Sequence, residues 1–274
     1  MSESLAIRST VKLNNGVEIP LLGLGTYQLN AIEAEPAVTW ALKSGYRHID
    51  TASLYGNEES VGKAIRKSGI PRKEIFVTTK LFNNEHDNAE RAFENSLKRL
   101  GMDYIDLYLI HWPVETKWKA SWKTLEKIYA SGRCRAIGVS NFTIRHVKQI
   151  LEFVDIIPTV NQVEFSPYLY QKELSDFCKS KKIQLEAYSS LTRGKKFDDP
   201  KLVSIASEYK KTTAQVLIRW SLQHNIITIP KSKSKERIKE NADVFDFSIS
   251  QKDMEVLDTF NEDFRVSWDP TNAP

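Results

Sequence analysis

Short runs rich in Val, Ile, Leu and Tyr return along this chain at a near-constant interval. They begin near Leu21, His48, Phe76, Ile105, Ala136, Thr159, Gln184 and Ile226. Most steps are about 24 to 30 residues, the length of one strand–helix unit. The segments between them carry apolar residues at helical spacing. Phe93, Leu97 and Leu100 share one face and are followed by Gly101, a residue suited to ending a helix. Trp122, Leu125, Ile128 and Tyr129 repeat the pattern before Gly132, and Ala37, Trp40 and Ala41 do so before Gly45. Asn57, followed by Glu58 and Glu59, reads as a helix N-cap with acids in the first turn. The long last interval holds two helical patterns, Leu202–Tyr209 and Ala214–His224.

Eight strands alternating with helices, with no linker or break in composition, predict an α/β fold: a (β/α)8 TIM barrel in one domain spanning residues 1–274. The strands are mostly Val, Ile, Leu and Tyr, as strands covered on both faces require. Ahead of them, Val11-Lys12-Leu13 and Val17-Glu18-Ile19 flank Asn14-Asn15-Gly16. That predicts a β-hairpin over about residues 11–20, placed to plug the barrel floor. A short C-terminal tail, 261–274, follows the last unit. An open doubly wound sheet is the alternative. Against it, Gly23-Leu24-Gly25 lacks the third glycine and the strand–turn–helix setting of a dinucleotide fingerprint.

Composition bounds the partners. A net charge of +4, evenly spread, gives no reason to expect nucleic acid. No apolar stretch approaches the ~20 residues of a membrane helix, and the first residues lack a secretory signal. Two cysteines, Cys134 and Cys178, form no CxxC and no disulfide framework, so a cytoplasmic location is expected. One local exception is Lys231–Lys239, with five cations and one acid in nine residues. It reads either as a solvated helix start or as an anion site.

The chemistry lies at the strand ends. Asp50, Lys80 and His111 close the second, third and fourth strand-like runs, and Tyr55 follows five residues after Asp50. In a parallel barrel those ends meet on one rim, where active sites lie. Each residue alone has a dull explanation: a cap, a buried histidine, a loop aromatic. Together they suit proton delivery by a phenol. Free tyrosine titrates near ~10, too high for neutral-pH acid–base work. A Lys80 ammonium, held by Asp50, is expected to lower that value by about two units, worth roughly 2.7 kcal/mol. His111 as a neutral donor would aim a carbonyl oxygen. The five histidines show no metal-ligand spacing, so no metal is expected.

These residues resemble a known family. Gly-Tyr-Arg-His-Ile-Asp-Thr-Ala (45–52), Tyr55 with Asn57-Glu58, Thr79-Lys80-Leu81, Leu109-Ile110-His111-Trp112-Pro113, Ile137–Phe142, Asn161-Gln162 and Ile229-Pro230-Lys231-Ser232 are similar to the motifs of the aldo-keto reductases, in order from about residue 11 to 260. The resemblance implies an NADPH-dependent carbonyl reductase with Tyr55 as proton donor, Lys80 and Asp50 as its tuners and His111 orienting the carbonyl. It further implies that Ser140, Asn141 and Gln162 hold the nicotinamide carboxamide and that Tyr188 stacks on the ring. The resemblance also implies Thr26 as a further cofactor contact, with Ser189 and Leu191 approaching the pyrophosphate. Lys231, Ser232, Ser234 and Arg237 would grip the 2′-phosphate, with Glu240 and Asn241 near adenine. A helix N-terminus with a forked guanidinium is a sound phosphate site.

There are departures. Tyr27 stands where members often carry Trp, and Ser190 and Thr192 replace the Pro and Gly of the pyrophosphate loop. The Arg193–Asp199 segment is shorter than the belt of some members, and the tail lacks their long C-terminal loop, so a fairly open site is expected. Tyr27, Leu54, Phe82, His111 and Trp112 are expected to line an apolar substrate pocket, with Trp268 a candidate to close it. Small aldehydes or ketones are the expected partners, with no membrane and no obligate protein partner; a monomer is expected. Two other readings stay open: an NADPH-binding redox-sensing subunit with slow turnover, and a barrel lyase using Lys80 as a Schiff base.

Overall fold

The computed structural model describes residues 5–114 and 117–273. An antiparallel hairpin, β1 (Thr10–Lys12) and β2 (Glu18–Pro20), comes first, with Gly16 at φ +87° in its turn. It seats against the lower ends of the barrel, where Asn14 Nδ2 donates to the Pro158 carbonyl and Asn15 Nδ2 to that of Arg135. The barrel then runs β3 (Leu24–Gly25), α1 (Ala31–Lys43), β4 (His48–Asp50), α2 (Glu58–Lys67), β5 (Phe76–Leu81), α3 (Ala89–Leu100), β6 (Ile105–Ile110), α4 (Lys117–Ala130) and β7 (Cys134–Ser140). It continues through α5 (Ile144–Leu151), β8 (Val160–Glu164), α6 (Lys172–Ser180), β9 (Gln184–Tyr188), α7 (Pro200–Glu208), α8 (Thr213–Gln223) and β10 (Ile227–Thr228). Two further helices, α9 (Lys235–Ala242) and α10 (Gln251–Asp258), complete the order.

Strands β3 to β10 form one eight-stranded sheet, each neighbour pair parallel. A parallel bridge between Leu22 and Thr228 closes it. Both expected helices of the last interval are present as α7 and α8. The first barrel strand begins at Leu24, three residues beyond the expected Leu21. Closure requires glycine: a Cβ at Gly25 would lie 2.7 Å from the Ile229 carbonyl oxygen, and one at Gly23 2.6 Å from His48 Nδ1. The Gly-Leu-Gly run is therefore a close approach of two strands.

Every residue of β5, β6 and β8 is buried, as two covered faces demand. Phe93, Leu97 and Leu100 face inward from α3, and Gly101 stops that helix at φ +63°. Asn57 is the N-cap residue of α2, with Glu58 and Glu59 in the first turn as expected, but its side chain makes no capping bond. That side chain is buried, donating to the carbonyls of Thr26 and Leu29 and accepting from the Thr51 hydroxyl. Three buried backbone and hydroxyl groups outcompete the helix end for the amide, which ties the loop after β3 to the loop after β4. Among the described residues no helix is long and apolar enough to cross a membrane.

Candidate active site

Parallel strands deliver their ends to one rim, and the chosen residues meet there. Asp50 ends β4, Lys80 is the penultimate residue of β5, and His111 follows β6. Tyr55 closes a 3-10 turn, Ser53–Tyr55, after β4. The fully buried Lys80 ammonium donates to both Asp50 oxygens at 2.7 and 2.8 Å, to the Thr51 carbonyl at 2.8 Å and to the Tyr55 phenol oxygen at 3.5 Å. The His111 ring lies edge-on to Tyr55, with centroids 5.8 Å apart. Burial, then repulsion by Lys80, holds His111 well below the usual histidine range, so it is neutral. Lys80 has no approach for a Schiff-base substrate: its amine is enclosed and its protons are committed to Asp50, Thr51 and Tyr55.

Tyr55 corrects the expectation drawn from Lys80. Its phenol is pushed well above 10, by burial first and then by the Asp50 carboxylate. Burial also pushes Asp50 up, against the pull of Lys80 and of hydrogen bonds from Lys80 and Gln162. Asp50, held on Lys80 through both oxygens, sets its own negative charge against a phenolate at Tyr55. The phenol therefore stays protonated across the neutral range.

These side chains open into a cleft of about 780 Å³. At its inner end Ser140 donates to the Gln162 carbonyl, and Asn141, at φ +64°, donates to the His111 carbonyl and the Ser140 hydroxyl. The Tyr188 hydroxyl donates to Asn141 Oδ1 at 2.8 Å. Gln162 Nε2 bridges Asp50 and Glu186. These polar groups are fixed before any ligand arrives. Farther along, Ser189, Leu191, Lys231, Ser232, Ser234, Arg237, Glu240 and Asn241 line the same cleft. Ser234 caps α9, accepting from the Arg237 amide. Burial, then the charges of Lys233 and Arg193, press the Lys231 ammonium below its usual range.

Three expected residues are placed differently. Thr26 is fully buried and does not line the cleft; its hydroxyl donates to the Asp50 carbonyl, so it supports β4. Glu240 lines the cleft, but its carboxylate accepts from Thr212 at 2.9 Å. Phe82 is not a cleft residue; its ring stands edge-on to His111 at 6.1 Å. Tyr27, Leu54 and Trp112 do line it, and Trp268 packs on Trp112 with centroids 5.0 Å apart. Hydrogen bonds hold the tail against the barrel. Glu164 accepts from the Val266 and Ser267 amides, and Arg145 and His146 reach the Ala273 carbonyl. Pro274, at the end of the tail, lies outside the described residues.

Arg193 and Glu186 escaped the sequence reading, whereas Ser190 and Thr192 were noted there only as departures. Arg193, at φ +51°, lines the cleft with its guanidinium 5.7 Å from the Tyr27 ring. Ser190, in the place of the missing proline, accepts from Thr228, and Thr192 takes φ +50°. Glu186 lies beneath the rim. A loop cation near other cations was a signal for Arg193; a single glutamate in an apolar strand was the signal for Glu186.

The sequence model of the Aldo/keto reductase family matches residues 21–262. The chain belongs to that family. It is 51% identical to a glyoxal reductase of Bacillus subtilis over 268 residues, covering 97% of each chain. It is 47% identical to a 9,11-endoperoxide prostaglandin H2 reductase of Trypanosoma cruzi, covering 96% of this chain and 95% of that protein. Its fold matches a Bombyx mori aldo-keto reductase solved in complex with NADP, with a TM-score of 0.90, 37% identity and 96% of each chain covered. This chain is thus an oxidoreductase of a family that uses nicotinamide cofactors.

Proposed function

We propose that the protein is an NADPH-dependent carbonyl reductase acting on aldehydes and small ketones, with reactive α-dicarbonyls such as methylglyoxal among its substrates. The observation that carries this reading is the Tyr55 phenol within 3.5 Å of a buried, carboxylate-held ammonium at the inner end of the cleft. The glyoxal reductase likeness supports the α-dicarbonyl class.

The donor set fits the cofactor. Amide and hydroxyl groups of Ser140, Asn141 and Gln162 suit a carboxamide, and Tyr188 beside them offers a ring face. Leu191 and Ser189 lie between the two ends. Among the described residues, neither Lys231 nor Arg237 has a carboxylate within ion-pair distance, whereas Lys233 pairs with Glu33. Two cleft-lining cations, Lys231 in the loop ahead of α9 and Arg237 in its first turn, are suited to a dianionic phosphate, which favours NADPH over NADH. When bound, the nicotinamide supplies a hydride to the carbonyl carbon.

This chain's residues do the rest. Neutral His111 donates to the carbonyl oxygen and fixes its direction. Tyr55, protonated because burial disfavours its anion, transfers its proton to that oxygen as negative charge develops there. The phenolate left behind lies against Lys80, which limits the cost of forming it. Tyr27, Leu54 and Trp112 exclude water around the reacting carbon. An apolar wall of this kind discriminates weakly among substrates, about 1–3 kcal/mol per methylene-scale difference.

The test follows NADPH absorbance with methylglyoxal and 4-nitrobenzaldehyde, for wild type and Tyr55→Phe. Wild-type turnover that falls by at least ~10²-fold in the variant, with NADPH binding retained, is expected. Tight NADPH binding with no turnover on any carbonyl would overturn the reading in favour of a redox sensor.

A further inference from the structure

Beneath the rim, β9 carries a carboxyl that the mechanism above does not use. Glu186 is fully buried, paired in register with Gln162 on β8 and Ile227 on β10. Its Oε2 accepts from Gln162 Nε2 at 3.1 Å, and the same nitrogen donates to Asp50 Oδ2 at 2.8 Å. Its Oε1 lies 3.6 Å from His48 Nε2 and has no hydrogen-bond partner among the described residues. One amide group thus joins two carboxyls, and the second of them holds the lysine that touches Tyr55. Every link from Glu186 through Gln162, Asp50 and Lys80 to the phenol is a direct contact.

Packing alone gives no reason for an acid here, since burying a carboxyl is costly unless it is paired or neutral. The groups facing it are Asp50 and His48 from β4, Lys80 from β5, Gln162 from β8 and Tyr55 above. His48 is held neutral, pressed down to about 3 by burial and then by Lys80, so it supplies no counter-charge. Burial, then the Asp50 carboxylate, pushes Glu186 up to about 8, against Gln162 and Lys80. Glu186 therefore carries a proton at neutral pH. Above about 8 it becomes the second anion around a single ammonium, and Glu186 is among the charges that hold the Tyr55 phenol up.

We propose that Glu186 is a positioning residue of the reductase: through the Gln162 amide it governs how Asp50 holds Lys80, and losing its proton weakens Tyr55 as an acid. The inference rests on the carbonyl reductase reading. Its sign is definite. Glu186 is protonated below about 8, so reduction is at full rate there and declines as pH rises through that value. A glutamine at 186 keeps the amide bridge and can never take the charge.

The test is the pH profile of carbonyl reduction for wild type and Glu186→Gln, each scaled to its own rate at pH 7. The alkaline decline in kcat should move up by on the order of one pH unit or more in the variant, the size expected of one charge across a protein interior. The same decline in both proteins would overturn the inference, since a purely structural glutamate leaves the midpoint in place. A wild type that reduces no carbonyl at any pH refutes the reductase reading instead. Infrared titration of wild-type protein without cofactor supplies a second measurement, which stands even where the variant does not fold. It should show a protonated buried carboxyl at pH 7 that is lost near pH 8; a carboxyl already ionised at pH 7 would overturn the inference.

Discussion

Replacing Asp50 by Asn isolates the buried ion pair beside the proposed acid, Tyr55. Lys80 has no exposed surface, and Asp50 meets it at 2.7 and 2.8 Å through both oxygens. The Thr51 carbonyl and the Tyr55 phenol remain as acceptors in the variant, so the ammonium keeps hydrogen bonds and loses its counter-charge. Breaking a buried pair in this way costs about 3–5 kcal/mol. At roughly 2–4 °C per kcal/mol for a chain of this size, the melting temperature should fall by roughly 6–20 °C. Circular dichroism melts at pH 7 measure it. The matched control is Asp155→Asn, which removes an exposed partner of Lys123 and should leave the melt unchanged. An Asp50→Asn melt within about 2 °C of wild type would refute the reasoning, because the amide would then be satisfying Lys80 as well as the carboxylate does.

Arg237→Ala should weaken NADPH binding by about 10- to 100-fold in a fluorescence titration, the worth of charge-assisted hydrogen bonds to phosphate, and NADH binding far less; equal losses would reject the 2′-phosphate assignment. Gly62→Ala should destabilise: a Cβ there would lie 1.9 Å from the Leu100 carbonyl oxygen, and a backbone displacement costing about 1–3 kcal/mol exceeds the ~1 kcal/mol gained in helix propensity. A raised melting temperature would contradict that balance. Trp268→Ala removes the ring packed on Trp112 and should raise KM for 4-nitrobenzaldehyde by about 2- to 10-fold, with little change for methylglyoxal; equal effects on both would show that the tail ring does not face the substrate.

The rim was legible in the sequence because a parallel barrel turns strand-end position into spatial proximity. Asp50, Lys80 and His111 required only the strand count and direction. The cluster of cations ahead of α9 was legible as density, but that density alone left a solvated helix start open, and the phosphate reading came from the family resemblance. What stayed hidden depends on neighbours across the barrel or far along the chain. Nothing local in Gln184–Tyr188 shows that Glu186 lies against His48 and Gln162. The clip of Glu164 on Val266 and Ser267 joins positions about a hundred residues apart. Asn57 does start α2 as its sequence neighbours suggest, but its side chain turns to Thr26 and Leu29 in the loop after β3 and to Thr51, which nothing local reveals.

The same distinction explains the acidity of Tyr55. Pairing the phenol with Lys80 alone predicts an easily formed phenolate; adding Asp50 and burial reverses the sign. The reversal suits the proposed role of Tyr55 as the proton donor in carbonyl reduction. An acid that ionised before substrate arrived would have no proton to give, whereas a phenol held protonated gives it up only to an oxygen that is gaining charge. Lys80 then matters after transfer, when the phenolate needs a partner within reach, and Asp50 matters by keeping that partner charged and in place. The arrangement is an acid loaded by burial and relieved by a cation. If Glu186 acts as inferred, the strength of that acid is open to adjustment from below, by the protonation of Glu186 on the far side of the Gln162 amide.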